Sequence, residues 1–118
     1  MLTIMNDIYL KFLQINLSIE THLRNNNYIS PLAMLLLNAL AVKDFEKISM
    51  TVSDVIDLKE LGSPSTLLRK LDELLKAEMI TVTNVGTDLR RKYIFLTQAA
   101  KDHFQFNSEV MLKVCESK

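Results

Sequence analysis

The sequence predicts a mainly α fold with a small β-hairpin, and three observations carry that prediction. Apolar residues recur at steps of three and four along most of the chain. Serine–proline pairs, Ser30-Pro31 and Ser63-Pro64, mark two helix starts. Near the end, a β-branched run is followed, after a polar stretch, by an aromatic and apolar run. Six methionines and only two glycines fit a helical protein with few tight turns.

Residues 6–24 form the first expected helix, amphipathic through Ile8, Tyr9, Phe12, Leu13, Ile15, Ile19 and Leu23. Asn25, Asn26 and Asn27 break it. Ser30 then caps a second helix, with Pro31 at its first position. That helix, residues 31–43, is apolar almost all round and is expected at the centre of the core. Thr51-Val52-Ser53-Asp54 matches a capping box with Asp in place of Glu, opening a short helix that carries Val55, Ile56, Leu58 and Leu61. Gly62 is read as its stop, Ser63 as the next cap and Pro64 as the start of a helix over residues 64–77. This fourth helix is expected to bury Leu67, Leu68, Leu71, Leu74 and Leu75 and to expose Ser65, Thr66, Arg69, Asp72, Glu73 and Lys76.

Strands follow at 79–83 and 93–96, with Asn84, Gly86 and Asp88 in the tip between them. Thr97 caps a last helix, from 98 to about 115, with Ala99, Phe104, Val110, Met111 and Val114 as its packing residues. No repeat, low-complexity stretch or linker interrupts the chain, so residues 1–118 are expected to form one domain. Its parts are an N-terminal helix within 1–27, a core over 28–97 and a C-terminal helix within 98–118. A helix-turn-helix followed at once by a hairpin is a winged helix, here with flanking helices at both ends.

Length and composition bound the function. At 118 residues and 13.5 kDa, with 48% apolar and 24% charged residues, the chain is an ordinary globular domain. Fourteen basic and fourteen acidic residues cancel, which argues against coating nucleic acid by bulk charge. The balance is uneven: residues 61–97 hold six basic side chains (Arg69, Lys70, Lys76, Arg90, Arg91, Lys92) against four acidic ones (Asp72, Glu73, Glu78, Asp88). One cysteine, Cys115, precludes an internal disulfide and fits a reducing compartment. Residues 1–7 lack the basic start and apolar run of a secretory signal, and the longest apolar stretch, residues 32–42, is too short to span a bilayer. A cytoplasmic location with no membrane partner is expected.

Three stretches carry a resemblance to a known family. They are Thr51-Val52-Ser53-Asp54-Val55, the run from Ser63 to Leu74, and Asp88-Leu89-Arg90 followed six residues later by Leu96-Thr97. Together they cover about half the chain, and the last fixes two separated pairs at a set distance. In these stretches the sequence resembles the MarR family of winged-helix transcriptional regulators. It differs in carrying Glu78 and Ala100 where members usually have glycine, and in having room for one long terminal helix rather than two.

The resemblance implies a homodimeric repressor that reads duplex DNA, the helix over 64–77 in the major groove and the wing over 81–96 in the minor groove. It makes Arg90 the wing-tip arginine that enters the minor groove, oriented by a salt bridge from Asp88. Charge favours such an insertion, because a narrow groove concentrates negative potential. The residues themselves support DNA contact. Ser63, Ser65, Thr66, Arg69 and Lys70 lie on the N-terminal half of the fourth helix, the half that helix-turn-helix docking places in the groove. Arg69 can bond a guanine bidentately, for about 1–3 kcal/mol of discrimination. Arg91 and Lys92 extend the basic run, with Arg91 expected to point opposite to its neighbours on an extended strand. The plainer alternative has the hydroxyls only capping the helix, Arg69 pairing with Asp72 or Glu73, and the wing cations forming a solvated run.

Ile4, Ile8, Phe12, Ile15 and Ile19 on the first helix offer more apolar surface than a small domain needs, which suits a two-fold dimer with recognition helices about 34 Å apart. Catalysis, cofactors and metals find no support: His22 and His103 stand apart from any carboxylate or cysteine at ligand spacing, no glycine-rich phosphate loop exists, and Cys115 reads as an inert thiol. Both histidines are expected at the surface or half-buried, and Met5, Met34, Met79 and Met111 as core gap-fillers. The sequence names no small-molecule effector. Two other functions fit the same fold: a protein–protein interaction module, favoured by the neutral net charge, and a plasmid or phage replication or maintenance factor.

Overall fold

The computed structural model describes residues 2–26, 29–87 and 89–116, with side chains from residue 7 onward except those of 22–26. The elements are α1 (Leu2–Asn26), α2 (Pro31–Phe45), β1 (Met50–Thr51), α3 (Val52–Ile56), α4 (Pro64–Lys76), β2 (Ile80–Thr83), β3 (Tyr93–Leu96) and α5 (Gln98–Glu116). The chain groups into two compact units, residues 29–101 and residues 1–28 with 102–118.

Residues 29–101 are a winged helix. Its core is built from one face of each element: Ala33, Leu36, Leu37 and Leu40 of α2, Val55 of α3, Leu67, Leu71 and Leu74 of α4, and Ile80 and Ile94 of the sheet. Leu36, Leu37, Leu67, Leu74, Ile80 and Val55 are fully buried, and each such side chain contributes about 1.5–3 kcal/mol. α2 is the central helix the sequence predicts, although Leu35 and Val42 face solvent. Leu68 and Leu75, expected inside, are 47% and 39% exposed, because α4 buries only the narrower stripe through Leu67, Leu71 and Leu74.

The sheet has three strands in the order β1-β3-β2, both pairings antiparallel, with Met50 opposite Ile94 and Val82 opposite Ile94 from the other side. β1 has only two residues and is absent from the sequence reading, since no periodicity can show in so short a run. Thr51 both ends β1 and caps α3, and the capping box is complete: its hydroxyl accepts the Asp54 N–H at 3.1 Å while its own N–H bonds the Asp54 carboxylate at 2.9 Å.

α3 has five residues and ends at Ile56, well before Gly62, so the expected glycine stop is replaced by a seven-residue connector from 57 to 63. α2 and α4 instead end on non-glycine residues in the left-handed region, Lys47 at φ 65° and Glu78 at φ 60°. Both ends carry the paired Schellman bonds: Ile48 N–H to Lys43 C=O and Lys47 N–H to Asp44 C=O, then Met79 N–H to Leu74 C=O and Glu78 N–H to Leu75 C=O. The second end is tied down by Thr97, whose hydroxyl donates to the Glu78 carbonyl at 2.7 Å and accepts the Ala100 N–H at 3.2 Å. The Leu96-Thr97 pair thus closes the wing, caps α5 and fixes the left-handed turn after α4.

In the other unit, α1 runs two residues beyond the expected helix at the C-terminal side and four at the N-terminal side. Ile8 and Phe12 are exposed, Ile15 and Ile19 half-buried, and the Ile4, Met5 and His22 side chains lie outside the described residues. Along α5, Ala100 and His103 are buried, whereas Ala99 and Met111 are exposed. His103 is therefore more deeply buried than the surface or half-buried position the sequence suggests, and Met111 is not a core filler. Among the other methionines, Met50 and Met79 are core residues and Met34 is half-buried.

Candidate nucleic-acid interface

α4 begins with a small hydroxyl network that follows from its Ser63-Pro64-Ser65-Thr66 start. Pro64 leaves no orphan N–H, and Ser63, at φ −72° and ψ 158°, caps the helix by accepting the Thr66 N–H at 3.3 Å. Its hydroxyl also donates to the Thr66 hydroxyl at 2.9 Å and lies 3.4 Å from that of Ser65. Capping and surface presentation coexist: Ser63 and Ser65 remain exposed and Thr66 half-exposed.

Arg69 is exposed one turn further on and makes a long 3.5 Å bond to the Thr66 hydroxyl. Pairing with Asp72 or Glu73, the plainer alternative, is not what the helix shows. Asp72 is bridged to Lys76 at 2.9 Å, a bond that raises the Lys76 pKa above its ordinary value. Glu73 accepts the Ser30 N–H at 2.7 Å and the Ser30 hydroxyl at 2.9 Å, and Lys70 lies 3.3 Å away. Burial pushes the Glu73 carboxyl up, but the bonds from Ser30 and Lys70 outweigh it and hold it below the usual carboxylate value.

The same cluster corrects the expectation for Lys70. Its ammonium donates to the Ser30 hydroxyl at 3.1 Å and to Glu73 at 3.3 Å and is half-buried, so it ties α4 to the start of α2 instead of standing out with Arg69. Ser30 has an N-cap backbone yet makes no capping bond of its own, because its hydroxyl serves Glu73. No local signal announces this cluster, whose partners lie 43 residues apart.

In the wing, Arg90, Arg91 and Lys92 are all exposed. They precede β3 and sit in a turn and loop, so the alternation expected of a strand does not apply to Arg91. Asp88 lies outside the described residues. The Val52 N–H bonds the Lys92 carbonyl at 3.0 Å, bringing the wing's basic run beside the start of α3. A groove of about 520 Å³ results, walled by Thr51, Ser53 and Asp54 on one side and by Arg90, Arg91 and Lys92 on the other. Lys92 also lines a second groove, of about 610 Å³, whose far wall is the exposed side of α4 at Leu68, Asp72 and Leu75. The cations of the wing and the outer face of α4 thus border adjoining grooves.

Asn84, placed in the tip by the sequence with no role assigned, organises the wing. The Asn84 side-chain amide donates to the Leu89 carbonyl at 3.0 Å and to the Arg91 carbonyl at 2.7 Å, closing the tip. Its signal was present: an asparagine at a strand end commonly bonds nearby backbone. Gly86 supplies the positive φ, 68°, that the turn requires. Among the described residues, no group of three His, Cys, Asp or Glu could hold a metal ion, and no helix is long and apolar enough to cross a membrane.

No protein-family model and no curated protein matches the chain. Solved structures do. The chain superposes on RV1404 from Mycobacterium tuberculosis with a TM-score of 0.61 at 19% identity, over 95% of this chain and 74% of that one. For the YusO protein from Bacillus subtilis the TM-score is 0.59 at 20% identity, over 96% and 79%. For the heme sensor protein PefR from Streptococcus agalactiae, solved in complex with heme, it is 0.58 at 17% identity, over 92% and 73%. The fold is that of these proteins, a winged helix with flanking terminal helices.

Proposed function

We propose that this chain is a MarR-type transcriptional regulator, a homodimer that binds specific double-stranded DNA and represses the genes beside its site. α4 enters the major groove, where Arg69 reads a base edge and Ser63, Ser65 and Thr66 let the helix approach the phosphates. Arg90, Arg91 and Lys92 grip the minor groove and its flanking phosphates. The observation that carries this reading is Arg69: it is exposed on the N-terminal half of α4 while both neighbouring carboxylates of its helix are engaged elsewhere. The winged-helix likeness to solved structures and the wing motif Asp88-Leu89-Arg90 support it.

Dimerisation supplies what a neutral chain lacks, a doubled set of contacts. Ile8, Tyr9, Leu10, Phe12 and Leu17 of α1 and Met111 and Leu112 of α5 are exposed apolar residues suited to a partner copy. Selection of bound sequences from random duplexes tests the proposal. A palindrome with half-sites one helical turn apart is expected, lost when Arg69→Ala and Arg90→Ala are combined in a chain of unchanged fold. A wild-type chain that enriches no duplex even at low salt returns the fold to a protein-interaction role.

A further inference from the structure

Two exposed apolar residues flank the turn of the wing. Leu89 is 77% exposed and Val85 52%, on either side of the turn at Gly86, and the three cations Arg90, Arg91 and Lys92 follow at once. A single exposed leucine is unremarkable on any surface. Here two apolar side chains share one tip, and the Asn84 amide pins the Leu89 carbonyl itself. The backbone at Leu89 is therefore anchored before any partner arrives, which lowers the ordering cost of binding there.

Exposed apolar side chains followed by cations match one kind of surface: the minor groove, with anionic phosphate rims and walls of deoxyribose C–H. Proteins that enter this groove commonly press apolar side chains against the sugars or between base steps. We propose that Leu89, aided by Val85, is an apolar wedge that enters the minor groove beside Arg90, and that it is a specificity-determining residue favouring easily unstacked steps such as TA and CA. This rests on the DNA-binding reading above and adds to it a second, non-ionic grip at the wing tip.

The test uses the full chain with duplexes enriched from a random pool. Leu89→Ser, alone and with Val85→Ser, removes only exposed side chains, and an unchanged thermal midpoint confirms the fold. About tenfold weaker binding is expected, with an unchanged slope of log affinity against log salt; Arg90→Ala is expected to reduce that slope by about one. With 2-aminopurine placed at successive steps under the wing, fluorescence rises at one step for the wild type and at none for Leu89→Ser. Equal affinity, with the same 2-aminopurine signal for wild type and Leu89→Ser, overturns the wedge while leaving DNA binding intact. If the wild type enriches no duplex, the DNA reading and the wedge fall together. If the chain instead sediments with phosphatidylglycerol vesicles in a Leu89-dependent way and the variant's DNA affinity is unchanged, the tip serves a lipid surface and the proposal is wrong.

Discussion

Glu73 in the body of α4 holds Ser30, the residue before α2, by its N–H at 2.7 Å and its hydroxyl at 2.9 Å. A carboxylate from one helix thereby does the capping work at the start of another, where the helix dipole also favours negative charge. Its depressed pKa makes this contribution pH-dependent. A carboxylate with a folded-state pKa below its unfolded value stabilises fully above the unfolded value, and the gain is lost as pH falls through the folded one. Wild-type stability is therefore expected to fall on acidification below about pH 4.5. Glu73→Gln, with no proton to take up, differs most from wild type near neutrality and least near pH 3, as urea unfolding at the two pH values would show.

Lys70 and Arg69 are adjacent in sequence and are expected to fail differently. Lys70→Ala removes a partner of Ser30 and Glu73, lowering stability by about 1 kcal/mol while leaving the salt dependence of DNA binding unchanged. Arg69→Ala leaves the thermal midpoint in place and weakens specific binding about five- to hundredfold, relaxing the preference at one base position. Thermal melts beside anisotropy titrations over a salt series separate the two.

Glu78 occupies a left-handed position, φ 60°, that glycine adopts without steric penalty. Glu78→Gly is expected to stabilise the fold by about 0.5–1 kcal/mol, the relief of strain exceeding the extra entropy of the unfolded glycine chain. A higher urea midpoint at unchanged slope is the expected result, and a lower one contradicts this account of the turn.

Thr97→Val keeps the shape of the side chain but strips the hydroxyl from both the Glu78 carbonyl and the Ala100 N–H. A loss of about 1–2 kcal/mol is expected, largely restored in Thr97→Ser. Faster amide exchange at Ala100 would place the loss at the start of α5.

How much of this was legible beforehand depended on how local each cause is. The starts at Pro31, Thr51 and Pro64 were readable because caps and proline act within three or four residues. β1 was invisible, since its two residues are a strand only by virtue of Tyr93 and Ile94 opposite them. Gly62 misled for a related reason: α3 stops at Ile56 without needing a glycine. On the proposed binding face, Ser63, Ser65 and Arg69 stand exposed and Thr66 half-exposed, as helix periodicity suggested. The basic run is exposed throughout because it lies in a turn and loop and not on the strand expected for it. Lys70 could not be assigned from its own helix, because Ser30 reaches it from 40 residues away.

The lower wing is fastened to the start of α3 by the Met50–Ile94 and Thr51–Tyr93 pairs and by the Val52–Lys92 bond, with the tip connecting β2 to β3 above them. Such a hairpin is a lever with its fulcrum at Tyr93. A sideways load on the tip becomes torque at that point and passes across one rung to Thr51, whose side chain secures the first turn of α3. Tip loading and the firmness of α3 are therefore coupled mechanically through the Thr51–Tyr93 rung.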